Sequence, residues 1–231
     1  MDEIRVLVVD DQQLVRNGLK ATLSPATGVR VIGECVNGVD AIRSVRALSP
    51  DIVLMDLNMP VMGGLEATRR ITEQFESVQV VVLSLYDRDQ DVFEALRVGA
   101  SGYILKDMPA DDVIDAIKTV ARGDAMLSPP VTRRLIAEFA RRPMLSETTP
   151  LELARLTDRE LDMLRLIVRG FRNEDIARLL VVGESTVKSH VQHLYQKLGV
   201  RDRVQVVIYA YEHGLVQPRT PEFAPIARAG R

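Results

Sequence analysis

Cysteine and long apolar runs are what this sequence has least of. Its single cysteine, Cys35, excludes an internal disulfide and a cysteine-based zinc site. Charged residues interrupt every apolar run before it reaches the length of a membrane span. Its first residues do not place positive charges ahead of an apolar stretch, so we expect no targeting leader. We therefore expect a cytoplasmic protein that does not bind a membrane.

The charged residues are unevenly distributed along the chain, although the formal net charge is only −2. Residues 1–121 carry 12 Lys and Arg against 19 Asp and Glu, whereas residues 122–231 carry 18 against 13. An acidic half followed by a basic half indicates that only the second half binds a polyanion such as nucleic acid.

Strand-like and helix-like segments alternate five times in the first half of the chain. The strand-like segments are short and rich in β-branched residues, and a polar amphipathic stretch follows each of them. They include IRVLVV from Ile4, DIVLM from Asp51, VQVVVLS from Val78 and SGYILK from Ser101. Such alternation favours a parallel sheet covered by helices on both faces. We predict an α/β domain over residues 1–122, with a five-stranded, doubly wound parallel sheet of flavodoxin-like order.

Polar residues stand where four of these strands end, namely Asp10 and Asp11, Asp56, Ser84 and Lys106. In an open parallel sheet the strand C-termini share one edge, so these side chains should converge. Mg²⁺ often binds one or two carboxylates together with phosphate oxygens. Beside such an ion, Asp56 can attack a phosphoryl group while Lys106 and Ser84 contact its oxygens. Each residue alone has an ordinary structural explanation, such as helix capping, but their joint position favours a site.

Residues 123–154 differ in character from the first domain. The motif SPP at residues 128–130 predicts the start of a short amphipathic helix, and PMLSETTP after it has no periodicity. We interpret this segment as a linker with a short helix; the alternative is an extra helix packed on the first domain. The proline-containing tail, residues 217–231, is predicted to be disordered.

Residues 155–216 show helical patterns in place of strands. A capping box begins at Thr157, and Asn173 is predicted to cap a second, short helix. A glycine-containing turn leads into a third helix over residues 184–198, and a fourth helix spans about residues 202–213. A short helix, a tight turn and a longer helix are typical of a helix-turn-helix, so we predict a small all-α domain of this type.

The third of these helices has one apolar and one polar side. The predicted inward stripe is Val187, Val191, Leu194 and Leu198. The opposite side carries Ser185, Ser189, Gln192, His193 and Gln196, with Lys188 on the flank. Such side chains can bond base edges in a major groove. A solvated polar face has the same pattern, and helix-turn-helix outlines also occur in protein-interaction domains.

The first half resembles a response-regulator receiver domain over residues 4–121. The resemblance rests on VLVVDD, LMDLNMPVMGG, VVVLS and GASGYILKD. It implies that a histidine kinase phosphorylates Asp56. It also implies that Mg²⁺ binds at Asp10, Asp11 and Asp56 and at the backbone carbonyl of Asn58.

Other receiver positions follow from the same resemblance. Ser84 and Tyr103 match the switch residues, which phosphorylation is expected to draw inward, and Lys106 matches the family's lysine. Gly63-Gly64 stands where the family commonly has Asp-Gly or Asn-Gly. This difference loosens a turn and removes no ligand.

The second half resembles a LuxR-type DNA-binding domain from LTDREL to GVRDR. The resemblance implies that the helix over residues 184–198 enters the major groove of double-stranded DNA, and that the last helix forms a homodimer on DNA. Gly183 replaces the more usual N-cap serine, and glycine is tolerated there. The implied DNA contacts are Lys188, Ser189 and Gln192, with Thr186, His190 and Lys197 as weaker candidates. The implied dimer contacts are Val204, Val207, Ile208 and Tyr211.

Taken together, the two halves resemble the NarL/FixJ class of response regulators over nearly all of residues 4–216. This predicts a two-component transcription factor controlled by phosphorylation of Asp56, and not a turnover enzyme. One alternative is a DNA-binding regulator whose receiver works without phosphorylation. The other is an aspartate-nucleophile phosphohydrolase, which needs a second catalytic aspartate two residues after the nucleophile, where this chain has Asn58.

Overall fold

The computed structural model describes residues 3–85, 89–123, 126–127, 153, 155–217 and 220–223. The chain divides near residue 135 into two units, and each has its own hydrophobic core. Every helix within the described ranges is too short or too polar to cross a bilayer.

The first unit alternates strands and helices, as the sequence predicts. The strands are β1 (Ile4–Val9), β2 (Val29–Cys35), β3 (Ile52–Asp56), β4 (Gln79–Ser84), β5 (Gly102–Leu105) and β6 (Met126–Leu127). The helices are α1 (Gln13–Leu23), α2 (Gly38–Leu48), α3 (Gly64–Gln74), α4 (Asp89–Arg97) and α5 (Ala110–Ala121).

These strands form one parallel sheet in the order β2-β1-β3-β4-β5-β6. The predicted five-stranded, doubly wound sheet is confirmed in β1 to β5. Strand β6 is an addition at the edge, where Met126 pairs with Gly102 and Leu127 with Tyr103. The sequence did not indicate β6 because two residues are too few to carry an alternation pattern.

Side chains of the central strands alternate between two cores, one on each face of the sheet. On β1, Val6 and Val8 pack in the core that includes residues of α1 and α5, whereas Leu7 and Val9 pack in the core that includes residues of α2 and α3. Successive side chains of a strand point to opposite faces. Because both faces are covered, the strand interiors are continuously apolar, and polar side chains are confined to the strand ends.

The second unit contains the predicted helices and ends in a short hairpin. The helices are α6 (Asp158–Val168), α7 (Asn173–Leu180), α8 (Glu184–Leu198) and α9 (Arg203–Glu212). The hairpin strands are β7 (Val216–Gln217) and β8 (Thr220–Phe223). The predicted capping box is confirmed, because Thr157 accepts a bond from the Glu160 N–H and Glu160 accepts one from the Thr157 N–H at 2.7 Å.

The start of α7 differs from the prediction by one residue. Arg172 occupies the N-cap, with extended backbone angles, and Asn173 is already the first helical residue. The helix therefore begins without a side-chain cap. Glu174 and Asp175 lie in its first turn, where negative charge stabilises the helix dipole and favours this start.

The end of the chain also differs from the prediction. Strand β7 pairs antiparallel with β8, with Val216 opposite Phe223 and Gln217 opposite Thr220. The prediction of a disordered tail is therefore wrong for Gln217 and for residues 220–223. Thr and Phe favour strand pairing, which helps this segment to form a hairpin. The short helix predicted for the linker lies outside the described residues.

The turn between α7 and α8 leads into the longer helix of the motif. Val181 has a φ of 54°, in the left-handed region that β-branched residues rarely adopt, and Gly183 is the N-cap of α8, as predicted. The predicted inward stripe of α8 is confirmed in the core of this unit, where Val187, Val191, Leu194 and Leu198 are buried. The core thus fixes which side of α8 faces outward.

Candidate metal and phosphoryl site and candidate nucleic-acid interface

Three carboxylates converge at the C-terminal edge of the sheet. Asp10 and Asp11 follow β1, and Asp56 ends β3, the neighbouring strand. One carboxylate oxygen of each lies within 4.8 Å of those of the other two. Asp10 is fully buried and Asp56 is 4% exposed, whereas Asp11 is open to solvent. Asp10 and Asp56 are thus buried charges, which need partners.

Lys106, just after β5, is the partner of both buried carboxylates. Its Nζ lies 2.6 Å from Asp10 Oδ2 and 2.8 Å from Asp56 Oδ1, and its side chain is only 6% exposed. The sequence prediction that Asp10, Asp56 and Lys106 meet at one sheet edge is confirmed. One ammonium between two carboxylates leaves the trio with a formal charge of −1, which suits a further cation.

Burial and charge shift the ionisation of this group. Burial is the largest influence on Asp56 and raises its pKa above the ordinary value, against the lowering effects of Lys106 and of the Asn58 N–H. Burial lowers the pKa of Lys106, but the contacts with Asp10 and Asp56 together raise it more, so it lies above the ordinary value. Lys106 is therefore a cation at neutral pH.

The loop after Asp56 holds its second carboxylate oxygen. Asp56 Oδ2 accepts a hydrogen bond from the Asn58 N–H at 3.0 Å. Farther along, the Gly64 N–H donates to the Leu57 carbonyl at 2.9 Å, and a Cβ on Gly64 would stand 2.0 Å from the Asp56 carbonyl oxygen. Gly64 thus fits against the backbone of Asp56, a role that the sequence analysis missed.

The two predicted switch residues are both buried. Ser84 ends β4, is 2% exposed, and accepts the Lys106 N–H on its carbonyl oxygen at 2.9 Å. Tyr103, on β5, is fully buried. The ring thus already lies inside the fold, and the movement of Tyr103 on phosphorylation stays a prediction.

The polar side of α8 is exposed, as expected for an interface with nucleic acid. The exposed side chains are Ser185, Thr186, Lys188, Ser189, Gln192, His193 and Gln196. His190 is half-buried. Lys188 Nζ lies 3.0 Å from Glu184 Oε1 one turn away, in an exposed pair that is weak in solution. Lys188 can therefore exchange this contact for another anion at little cost.

Lys197, one of the weaker candidates for a DNA contact, lies in the last turn of α8 and contacts α6. Its Nζ is 2.7 Å from Glu160 Oε2 and donates to the Arg155 carbonyl at 3.3 Å. Glu160 is 4% exposed, and its pKa is lowered because the bonds from Lys197 and Thr157 outweigh the raising effect of burial. Lys197 thus balances a buried carboxylate while its own side chain stays 36% exposed, and its contact with DNA stays a prediction.

The predicted dimer residues lie on one side of α9. Val204 and Ile208 are buried, and Val207 and Tyr211 are half-buried. Burial raises the pKa of Tyr211. The opposite side of α9 contributes Val206 and Ala210 to the core of the unit. Of the four predicted dimer contacts, Val207 and Tyr211 are thus the more exposed, and the dimer face itself stays a prediction.

Two arginines that the sequence analysis did not select support these sites. Arg16, on α1, donates to the carbonyl oxygens of Asp10 and Asp11. Arg159, on α6, donates at 3.2 Å to the carbonyl of Leu180, at the end of α7. No periodicity marks such contacts; the only signal for Arg16 is its place one turn after the acidic pair.

Comparison with known proteins gives the same division of the chain. Residues 6–118 match the family model of the response regulator receiver domain, and residues 154–210 match that of the luxR family of bacterial regulatory proteins. Together the two matches span the receiver pocket and α6 to α8.

Several known proteins are similar to this chain over nearly its whole length. The chain is 41% identical to the uncharacterized transcriptional regulatory protein YxjL of Bacillus subtilis, covering 94% of this chain and 99% of that one. It is 38% identical to the response regulator VraR of Staphylococcus aureus, covering 93% and 99%. The crystal structure of the response regulator ChrA of a heme-sensing two-component system is 30% identical, with a TM-score of 0.52 and coverage of 94% and 100%. The chain therefore belongs to the NarL/FixJ class of response regulators, with a receiver domain followed by a LuxR-type DNA-binding domain.

Proposed function

We propose that this chain is a two-component transcription factor whose binding to promoter DNA is controlled by phosphorylation of Asp56 by a histidine kinase. The observation that carries the proposal is the pocket itself: Asp56 lies 2.8 Å from the Lys106 ammonium, beside Asp10 and Asp11. The same chain carries a LuxR-type domain whose α8 exposes a polar side. Because promoter DNA is the proposed ligand, we place the protein in the cytoplasm.

The carboxylates of Asp10, Asp11 and Asp56, with the Asn58 carbonyl, would hold Mg²⁺. Hard oxygen donors of this kind fit the ion, which would neutralise charge on the transferred group. An Asp56 oxygen would form a bond to phosphorus as the bond from phosphorus to the kinase's histidine nitrogen breaks. Lys106 would then contact a phosphoryl oxygen, and the Ser84 hydroxyl would donate to another.

The switch would run through Ser84 and Lys106, since the Lys106 N–H is bonded to the Ser84 carbonyl at 2.9 Å. A phosphoryl group on Asp56 would attract the Lys106 ammonium and the Ser84 hydroxyl together, and so displace the ends of β4 and β5. Such a two-state change in a receiver surface is a common way to control an attached domain.

Two other functions are less well supported. A regulator that works without phosphorylation would not need an ion-paired acceptor carboxylate and a buried lysine at the same edge. An aspartate-nucleophile phosphohydrolase would need an acid two residues after Asp56, where Asn58 supplies an amide. The pocket accepts a phosphoryl group in our proposal and does not turn over a substrate.

Acetyl phosphate tests the proposal without knowledge of the kinase. We expect the full-length chain to gain one phosphoryl group with acetyl phosphate and Mg²⁺, measured by intact-protein mass spectrometry, and to gain none when EDTA removes the metal. We also expect the label to change which genomic fragments the protein retains in a pull-down followed by sequencing. Absence of labelling would favour the phosphorylation-independent regulator, and continuous release of phosphate at many turnovers would favour the hydrolase.

Replacing Lys188 by methionine tests the proposed DNA interface. Lys188 is exposed on α8, so we expect a loss of about tenfold in affinity for a retained fragment, the size of one lost contact to a base or phosphate. Folding should change little, because the pair with Glu184 is exposed. The matched control is Arg165→Met, which also removes one exposed cation paired with a carboxylate one turn away, but on α6. Equal losses in the two variants, measured by fluorescence anisotropy, would contradict a specific role for Lys188.

A further inference from the structure

Arg16 is nearly enclosed beside the acidic pair, although the proposed phosphoryl transfer does not use it. Its side chain is 11% exposed, which is low for an arginine. Its Nη1 donates to the Asp10 carbonyl oxygen at 2.8 Å and to the Asp11 carbonyl oxygen at 3.2 Å. One guanidinium nitrogen therefore joins the backbone of both acidic residues to α1.

The orientation of this guanidinium is fixed from the other side. Arg16 Nε donates to Glu34 Oε2 at 3.2 Å, and Glu34 Oε1 lies 3.0 Å from Lys20 Nζ. Glu34 lies on β2, the edge strand next to β1. The planar fork of an arginine can serve two acceptors in fixed directions, which an ammonium cannot do from one position.

Asp10 is held by other hydrogen bonds of its side chain and its backbone, whereas the Asp11 side chain is exposed. Asp10 Oδ1 accepts the Gln12 N–H at 2.9 Å, and the Asp10 N–H donates to the Cys35 carbonyl at 3.1 Å. Asp11 follows the end of β1 and precedes α1, in a short connection that could turn away from Asp56. The bonds from Arg16 restrain that connection at both carbonyls.

From its charge alone, Arg16 is expected to weaken the binding of a metal cation. A positive charge beside three carboxylates repels a metal cation, so its removal alone would strengthen metal binding. Glu34 offsets part of that charge through its ion pair with Arg16. The sign of the change in metal affinity therefore separates a positioning role from a merely electrostatic one.

We propose that Arg16, oriented by Glu34, is the positioning residue of the metal site: it holds the backbone of Asp10 and Asp11 so that their carboxylates face Asp56. This inference rests on the proposed function, because it assumes that the three carboxylates bind a divalent cation. Groups that orient metal ligands in this way commonly change metal affinity by about 10- to 100-fold.

The test is the affinity of the full-length chain for Mn²⁺, measured by electron paramagnetic resonance of the free ion and confirmed by calorimetry with Mg²⁺. We expect Arg16→Gln to weaken Mn²⁺ binding about tenfold or more. The matched control is Lys20→Met, which removes the other cation on Glu34 but leaves the carbonyl contacts, and should change the affinity less than about twofold. Arg16→Lys keeps the charge without the fork and should also weaken binding.

Three outcomes separate this inference from the function on which it rests. Wild-type or tighter Mn²⁺ binding by Arg16→Gln would overturn the inference and leave the proposed function standing. Equal weakening in Lys20→Met would overturn it as well, since loss of a contact with Glu34, and not of the bonds from Arg16 to the two carbonyls, would then explain the effect. A wild-type chain that binds neither Mn²⁺ nor Mg²⁺ would overturn both. If Arg16→Gln is unfolded by calorimetry, the comparison of Arg16→Lys with Lys20→Met decides in the same way.

Discussion

Replacing Asp56 by asparagine is expected to abolish labelling by acetyl phosphate and the change in DNA binding that accompanies it. An amide oxygen is a poor nucleophile, and the substitution leaves no carboxylate beside the Lys106 ammonium on that side. The fold should persist, because the Lys106 ammonium still pairs with the Asp10 carboxylate, 2.6 Å away. The substitution also removes a buried charge and adds none. Intact-protein mass spectrometry and pull-down of genomic fragments measure the two effects.

The control for this substitution is Asp107→Asn. Asp107 is an exposed carboxylate one residue after Lys106, so its loss changes the net charge by the same amount without touching the pocket. We expect it to label like the wild type. Persistent labelling of Asp56→Asn would identify another acceptor in the pocket. Unchanged DNA retention by that variant with an active kinase present would contradict control by phosphorylation.

The second large effect is expected from Gly64→Ala, a substitution that changes no charged residue of the pocket. The new methyl group would stand 2.0 Å from the Asp56 carbonyl oxygen and 2.8 Å from its carbonyl carbon, distances that no packed structure allows. Because the obstacle is backbone, either α3 or the end of β3 must move. We expect a loss of about 3 kcal/mol or more in the stability of the receiver domain, measured by calorimetry, with slower labelling of Asp56.

The matched control is Gly18→Ala, on α1. A Cβ on Gly18 meets no atom within 4 Å, and the residue lies inside a helix, where alanine is favoured. It should therefore stabilise the receiver domain by about 0.5–1 kcal/mol. Gly64→Ala with wild-type stability would show that the loop after Asp56 adjusts without cost.

The receiver fold and the core of its pocket could be predicted because parallel strands bring distant residues to one edge. Asp10, Asp56 and Lys106 are far apart in sequence, yet each follows a recognisable strand, and the topology alone places them together. The inward stripe of α8 could be predicted for a similar reason, since helical periodicity decides which residues meet the core.

The features that the sequence did not reveal depend on contacts that neither helical nor strand periodicity marks. The bond from Lys197 to Glu160 joins residues on two helices, and nothing in either helix marks it. The fit of Gly64 against the Asp56 carbonyl is a backbone distance, and the sequence offers only a glycine at a place where turns often have one. The pairing of β7 with β8 links segments too short to show alternation.

The ion pair between Lys197 and Glu160 has a consequence for how this protein responds to salt. Of the 18 lysines and arginines in the second half, Lys197 is already paired with a buried carboxylate within the fold. Each phosphate that a protein neutralises releases a counterion and steepens the fall of affinity with ionic strength. If Lys197 keeps its bond to Glu160 on DNA, each copy of the protein neutralises one phosphate fewer, and its affinity falls less steeply with ionic strength.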